Sequence, residues 1–379
     1  MNLELSDEQL ALRDTVRRFL SERASIPGHV RPMLDDPTGT TDAVWRGLAD
    51  LGATGLLVPE DHGGEGMSMT EAGLVCEELG AALHPGPWLS SAVAAPRALL
   101  RFGTDNQDTA VAELLAGLAA GSRIAAVALP TAGDTISTVV HRDGHAVLSG
   151  ALGQVPDAAA ADTLLVLAGD DSRPELLAVP TSGDGVEIVE DAGIDRSRKT
   201  FQVVFKDAPT HVVATGSAET AEALIDDMLI AWAADALGAA RQVLGMTIEY
   251  AKVRRQFGSP IGSFQAVAHL CVDMYETVEL ARSGVLYALW AADDADRAER
   301  HRAALRLKAF SGRLATVGDQ AIQVFGGIGF TWEHDAQLYL KRLLSFSRFL
   351  GSPGQYLQQL GATVAANGNE HRELTSIAP

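Results

Sequence analysis

Two stretches carry residue types whose spacing permits chemistry. Arg254-Arg255-Gln256-Phe257-Gly258-Ser259-Pro260-Ile261-Gly262-Ser263-Phe264-Gln265 sets guanidinium and amide groups on a turn bent by Gly258 and Pro260. A guanidinium in such a turn can hold an anion bidentately; the plainer alternative is a solvated arginine pair on an inter-helix loop. The second stretch, Gln323-Val324-Phe325-Gly326-Gly327-Ile328-Gly329-Phe330, has three glycines that let a ligand approach the backbone closely. It lacks the G-x-G-x-x-G spacing and a preceding strand, so a dinucleotide-binding Rossmann turn is excluded. His62, His84, His141, His145 and His211 are scattered, and the four-residue spacing of His141 and His145 falls between two strand-like runs and not on a helix. They read as surface or satisfied core histidines, and no metal site is expected. His334-Asp335 resembles a dyad, but no serine or cysteine is placed to use it, and Asp335 reads as a helix cap.

The elements that must position these groups fall into three blocks. Residues 1–122 read as an all-α domain. Ser6-Asp7-Glu8-Gln9 is a capping box ahead of Leu10, Leu12, Val16 and Leu20, and further helical runs hold Val44 to Leu51, Ala72 to Leu83 and Ala110 to Ala120. Between the first two of these runs, Val58-Pro59-Glu60-Asp61-His62-Gly63-Gly64 forces a break. Residues 123–215 switch to about six short β-branched runs between Gly, Asp and Pro clusters, which predicts a small antiparallel barrel or sandwich. Residues 216–366 form four long helical segments, Ala218–Val253, Phe264–Ala292, Ala295–Gly326 and Asp335–Ala365, the pattern of a four-helix bundle. Trp232, Trp290 and Trp332 read as bundle core or interface anchors. Residues 367–379 read as a loose tail.

Composition narrows the function classes. The 379 residues are 47% hydrophobic and 21% charged, the profile of an ordinary globular protein of α+β multidomain class. Thirty Lys+Arg against 49 Asp+Glu give a net charge of −19, which argues against a phosphate backbone or an anionic membrane as partner. Cys76 and Cys271 lack C-x-x-C spacing, so a reducing compartment is expected. With no signal-peptide pattern and no span of roughly 18 apolar residues, the sequence points to the cytoplasm.

The order helical, β, helical, with Pro59-Glu60 and Gly63-Gly64 early, Arg254-x-Gln256-Phe257-Gly258-x-Pro260-Ile261 and Phe264-Gln265 later, and Gln323 to Gly329 last, resembles the acyl-CoA dehydrogenase family. The resemblance implies a flavoprotein fold with FAD, which removes an α-proton and a β-hydride from an acyl-CoA thioester. Electrons would pass to an electron-transfer flavoprotein, in fatty acid or steroid side-chain β-oxidation. It implies that Arg254 pairs with the FAD pyrophosphate of a neighbouring subunit and that Gln256 and Phe257 line it. Gln265, Gln323, Gly326 and Gly327 would contact the adenosine half. Glu60 would border the acyl or CoA entrance.

Other parts depart from the family pattern. Where the family carries its Glu base in a Tyr-Glu-Gly-Thr turn, Phe349-Leu350-Gly351-Ser352 stands, with Gly351 at the carboxylate position. At the other place the family uses, on the first bundle helix, Met228 stands beside Asp226 and Asp227. A neighbour along a helix is rotated by about 100° and Asp is a methylene shorter than Glu. Asp227 then reads as a weak base candidate or as a solvated charge near a helix N-terminus, and no catalytic residue is assigned. Leu129-Pro130-Thr131-Ala132-Gly133-Asp134 and Gln154-Val155-Pro156 replace the family's flavin-ring contacts, with loss of the stacking Trp. A chain that keeps what it lends and loses what it uses resembles the non-catalytic partner in actinobacterial heteromeric acyl-CoA dehydrogenases. Two alternatives stand beside it: a self-sufficient homo-oligomer with an unusual base, and a flavin-free scaffold.

Overall fold

The computed structural model describes residues 4–103, 109–131, 134–142, 145–170 and 172–376; for 135–142, 145 and beyond 365 only the backbone is described. The N-terminal block is helical. α1 (Asp7–Arg23) starts at the predicted box, with Ser6 Oγ accepting from Gln9 N at 3.2 Å and Gln9 Oε1 accepting from Ser6 N at 2.9 Å. A π-turn at Ile26–Val30 runs into the short α2 (Arg31–Met33), followed by α3 (Asp42–Asp50), α4 (Met69–Ala81), α5 (Ala95–Phe102) and α6 (Thr109–Ala119). Sequence reading assigned no helix to α5, whose eight residues give barely two turns in which to read a period and which continues from the wholly buried π-turn Leu89–Ala94.

Seven strands follow: β1 (Ala125–Ala128), β2 (Thr135–Arg142), β3 (His145–Pro156), β4 (Thr163–Asp170), β5 (Arg173–Pro180), β6 (Val186–Asp191) and β7 (Thr200–Thr215). The sheet is not wholly antiparallel as expected. It runs β1-β4-β5-β7-β3-β2 with β6 on β7, and β1 pairs parallel with β4 from Ala125↔Thr163. The long β7 pairs with β3 from Thr200 to Thr210, with β6 from Thr200 to Phe205, and with β5 from His211 to Thr215. The sheet thereby folds over a core of its own that includes Leu152, Val166, Leu177, Phe201, Val203 and Phe205.

The C-terminal block holds α7 (Ala218–Val253), a two-residue ribbon of β8 (Arg255–Gln256) and β9 (Ser259–Pro260), α8 (Gln265–Asp294), α9 (Arg297–Phe325), α10 (Ala336–Arg348) and α11 (Pro353–Ser376). The last segment, expected as one helix, is two. Leu350 (φ +54) and Gly351 (φ +121) interrupt it, and α11 stays helical through most of the stretch expected as a tail. Helices α4 and α7 meet backbone to backbone, because a Cβ on Gly80 or Gly238 would lie 1.8 Å from the opposing carbonyl of Asp235 or Glu77. No helix among the described residues is long and apolar enough to cross a membrane.

Candidate functional site

The two motif stretches emerge at one end of the bundle. Tyr250, in the last turn of α7, packs its ring 4.9 Å from that of Phe325 at the end of α9, bringing the arginine turn and the glycine turn side by side. Phe257, just before Gly258, takes φ +51, is 93% exposed, and meets Phe264 edge to face at 6.1 Å. Arg254, Gln256, Gln265 and Gln323 are exposed too, and among the described residues their side chains make no hydrogen bond or ion pair. At Gly258, Gly326 and Gly327 a Cβ would meet nothing within 4 Å. Holding large apolar and cationic side chains in water costs a protein the chance to bury them, so this end of the molecule is built to meet something outside the chain.

A second region lies where the β domain meets the bundle. A cavity of about 600 Å³ is lined by Pro130, Asp134 and Leu167 from the sheet and by Ile225, Asp226 and His301 from the bundle. Asp134 does not point a free carboxylate into it. Its Oδ2 accepts from Thr131 N and Oγ1 at 2.8 Å and its Oδ1 from Gly153 N at 2.9 Å, which ties the β1–β2 turn to β3; Ala132 and Gly133 lie outside the described residues. Gln154, which stands where the family has its Trp, takes φ +53 and is exposed, and its neighbour Val155 is buried in the sheet core, so no aromatic platform stands there. Tyr356 of α11 also borders the cavity, and its hydroxyl donates to Leu350 O at 2.8 Å, fastening the Gly351 turn beside it.

The adjacent carboxylates of α7 have opposite surroundings. Asp227 is fully buried and gripped by Arg97 (Nε–Oδ2 2.7 Å) and Arg101 (Nε–Oδ2 2.9 Å) of α5. It is neither a solvated helix charge nor a free base, since both oxygens accept from guanidinium groups. One residue of helix rotation turns Asp226 to α9 and the cavity instead. Its Oδ1 lies 2.9 Å from His301 Nδ1, and Arg300 Nε donates to Oδ2 at 3.4 Å. Burial pushes the Asp226 carboxyl above the usual range, against the lowering effect of His301 and Arg300. The Asp226 carboxylate in turn raises the His301 imidazole, against partial burial. Glu222, one turn earlier, completes a group of three potential ligand atoms within 4.8 Å of one another. Arg300 on Asp226 and Arg297 on Glu222 at 3.0 Å already neutralise these carboxylates, an arrangement that opposes a dication.

Elsewhere, Arg342 of α10 donates to Asp195 (2.9 Å), Asp235 (3.0 and 3.1 Å), Ser197 and the His84 carbonyl, welding α7, the β6–β7 loop and the turn after α4. Arg198 adds a second guanidinium on Asp235. His84 is not a satisfied core histidine. Both its ring nitrogens are buried without a partner among the described residues, and it stacks on His29 at 5.7 Å, with burial pushing its imidazole well down. Asp335 is not the side-chain cap of α10: its carboxylate binds Arg31 at 2.7 Å, and His334 Nδ1 accepts from Ala336 N. Of the tryptophans, Trp232 is buried against Phe349, stacked at 4.7 Å, and Trp332 is half exposed. Sequence reading missed the pairing of Asp226 with His301, 75 residues apart; the signal available was a His on an Arg-rich helix start. The arginine clamp had a clearer one, Arg97 and Arg101 at i, i+4 in an otherwise apolar helix.

Comparison with known proteins agrees on one family. The model for the acyl-CoA dehydrogenase N-terminal domain matches residues 6–122, and that for the acyl-CoA dehydrogenase C-terminal domain matches residues 215–363. Acyl-CoA dehydrogenase IpdE2 of Mycobacterium tuberculosis (strain ATCC 25618 / H37Rv) is 32% identical over 94% of this chain and 98% of its own. Among solved structures, a variant of the steroid ACAD Tcur3481-Tcur3483 matches with 29% identity and a TM-score of 0.87, over 96% of this chain and 99% of that one. The ChsE4-ChsE5 complex from Mycobacterium tuberculosis matches with 26% identity and a TM-score of 0.87 over the same shares. With both terminal domains matched and a relative of this identity aligned along nearly its whole length, the chain belongs to the acyl-CoA dehydrogenase family.

Proposed function

We propose that this chain is one subunit of a heteromeric acyl-CoA dehydrogenase, carrying out FAD-dependent α,β-dehydrogenation of an acyl-CoA thioester together with a homologous chain. The observation that carries the reading is the contrast between what the chain offers and what it keeps. Arg254, Gln256, Phe257, Gln265 and Gln323 stand exposed around open glycines at one end of the bundle. A guanidinium and backbone N–H groups free of side-chain cover suit the pyrophosphate and adenosine half of FAD held by a neighbour. The ring half fits less well in this chain, since Gln154 stands where the family has its stacking Trp and Gly351 where it has a carboxylate base. When bound, the flavin supplies the acceptor for the β-hydride. The chain's own residues would hold the cofactor's charged tail through Arg254 and line the cavity with Tyr356, Leu167 and Ile225.

The names of the relatives are in keeping with this reading: IpdE2 is named an acyl-CoA dehydrogenase, Tcur3481-Tcur3483 a steroid ACAD, and ChsE4-ChsE5 a complex. By the same reading, an electron-transfer flavoprotein takes the electrons, and the enzyme works in the cytoplasm on fatty acyl or steroid side-chain thioesters. The test is the visible spectrum and FAD content of the chain purified alone and with the homologous dehydrogenase encoded beside it. A colourless lone chain that turns yellow in the complex, and bleaches with acyl-CoA only there, is the expected result. Stoichiometric flavin in the lone chain, bleached by a thioester, overturns the heteromeric reading.

A further inference from the structure

We propose that Asp226 and His301 form a proton-transfer pair that works on the α-carbon of a thioester bound in this chain's own cavity. The inference rests on the acyl-CoA reading above but needs no flavin. Three observations converge on it. The pair opens onto the cavity of about 600 Å³ between sheet and bundle, whose size suits a small-molecule ligand. An ionised carboxylate only accepts, so the 2.9 Å contact fixes the imidazole proton on Nδ1 and leaves the Nε2 lone pair available as a base. His301 is 32% exposed at its side chain while Asp226 is 1% exposed, so the carboxylate orients from behind and the imidazole meets the solvent or ligand side. Nε2 has Glu222 Oε2 at 3.9 Å, outside hydrogen-bond reach.

The charged and titratable groups facing the pair come from every neighbouring helix. Glu222 lies on α7, Arg297 and Arg300 on α9, and Tyr356 on α11. Arg297 pairs with Glu222 and Arg300 with Asp226, which leaves the imidazole as the group of the cluster with a nitrogen that has no hydrogen-bond partner among the described residues. The adjacent Asp227 cannot substitute, because Arg97 and Arg101 occupy both its oxygens.

The step balances without a further reactant. The Cα–H bond breaks, its proton passes to Nε2, and its electron pair moves into the thioester to give the enolate. The positive imidazolium that results is stabilised by the Asp226 carboxylate. Return of the proton regenerates the thioester, so without a hydride acceptor the net result is exchange of the α-hydrogen with solvent.

The experiment uses the full chain, alone and in its complex, with octanoyl-CoA as probe. Binding is measured by calorimetry, and deuterium uptake at Cα in D2O by mass spectrometry across pD. Wild-type protein is expected to exchange the α-hydrogen, with a rate that rises through one ionisation displaced above that of free imidazole. Asp226→Asn should move that ionisation down and slow exchange about tenfold or more; His301→Gln, which keeps a donor toward Asp226, should slow it about 100-fold or more. Titration of the His301 ring protons by NMR reads the same displacement independently of turnover and of misfolding. Octanoyl-CoA binding with no exchange above buffer, or wild-type exchange in His301→Gln, overturns the pair while leaving the thioester reading intact. Absence of binding overturns the thioester reading itself and this proposal with it. Exchange abolished by EDTA and restored by Zn²⁺ overturns the acid–base assignment in favour of a metal on Glu222, Asp226 and His301.

Discussion

Arg342 and Arg254 sit on the same bundle and mean opposite things. Arg342 is 1% exposed at its side chain, and its nitrogens meet Asp195, Asp235, Ser197 and the His84 carbonyl, so each donor direction ends inside the chain. Arg254 is exposed and has no internal partner among the described residues. A buried guanidinium must be paired where it stands, because an unpaired buried charge costs several kcal/mol. An exposed one is free to serve a partner that has not yet arrived. The lesson is that internal satisfaction separates charges that hold this fold together from charges addressed outward. Asp227 and Asp226 repeat the contrast within one turn of α7, the first locked by two arginines and the second shared with a titratable imidazole at a cavity.

The comparison breaks most visibly at Arg342. Arg342→Met should remove about 3 to 5 kcal/mol of stability, since Asp195 and Asp235 would remain buried with one guanidinium, Arg198, between them. Urea denaturation of the complex with intact flavin content checks it. A loss below about 1 kcal/mol would mean that the seam between α7, α10 and the β6–β7 loop is held by apolar packing alone.

Lys308 tests the same rule from the other side, as a buried cation with almost nothing to pair with. Its ammonium donates to the Phe346 carbonyl and lies 4.9 Å from the centre of the Phe346 ring, and burial pushes it down to about 7. An unfolded lysine keeps its proton to about pH 10.4. The folded-state value is therefore depressed: the penalty for the charge is fully present below about pH 7, and stability grows as pH rises toward the unfolded value. Between about pH 7 and about pH 9 the gain is about 2 to 3 kcal/mol at the theoretical slope of roughly 1.4 kcal/mol per unit. Lys308→Met should flatten this dependence, read as melting temperature against pH. An unchanged slope in the variant would show that the lysine stays charged in the fold.

How much of this was legible beforehand follows the same division. The exposed motifs, Arg254 to Gln265 and Gln323 to Gly329, were readable because their chemistry is local: the residues that act together are neighbours in sequence. The capping box of α1, the long helices and the position of the strands were readable for the same reason. The Asp226–His301 pair, the clamp of Arg97 and Arg101 on Asp227, and the Arg342 seam join residues separated by 75, about 130 and more than 100 positions. No period or spacing reports such contacts. The parallel pairing of β1 with β4 was hidden likewise, since strand direction is set by the path of the chain and not by the alternation within a strand. Asp235, in a run of alanines on a buried helix, was the one readable hint that a charged seam existed.

The Gly351 turn sharpens the comparison at a smaller scale. Gly351 takes φ +121, and a Cβ there would lie 3.1 Å from the Tyr356 ring and 3.3 Å from Gln355 Oε1. Gly351→Glu should cost about 1 to 3 kcal/mol through the backbone alone, seen as a lower denaturation midpoint. If the variant were as stable as wild type, the turn would be able to accept a carboxylate base without strain, and the glycine would lose its structural reason.

Arg254→Ala should have the smallest effect on the fold and the most specific effect on function. With no internal partner to orphan, stability should change by no more than about 0.5 kcal/mol, within the range of ordinary surface substitutions. In the complex, a charge-assisted contact to pyrophosphate is worth about 1.5 to 3 kcal/mol, so FAD should bind about 10- to 100-fold more weakly, measured by flavin fluorescence on dilution. Gln256→Ala should follow in the same direction with a smaller loss, because its amide is neutral. A variant that melts early and keeps its flavin would place Arg254 with Arg342 as a structural charge and undo the distinction from which the functional reading starts.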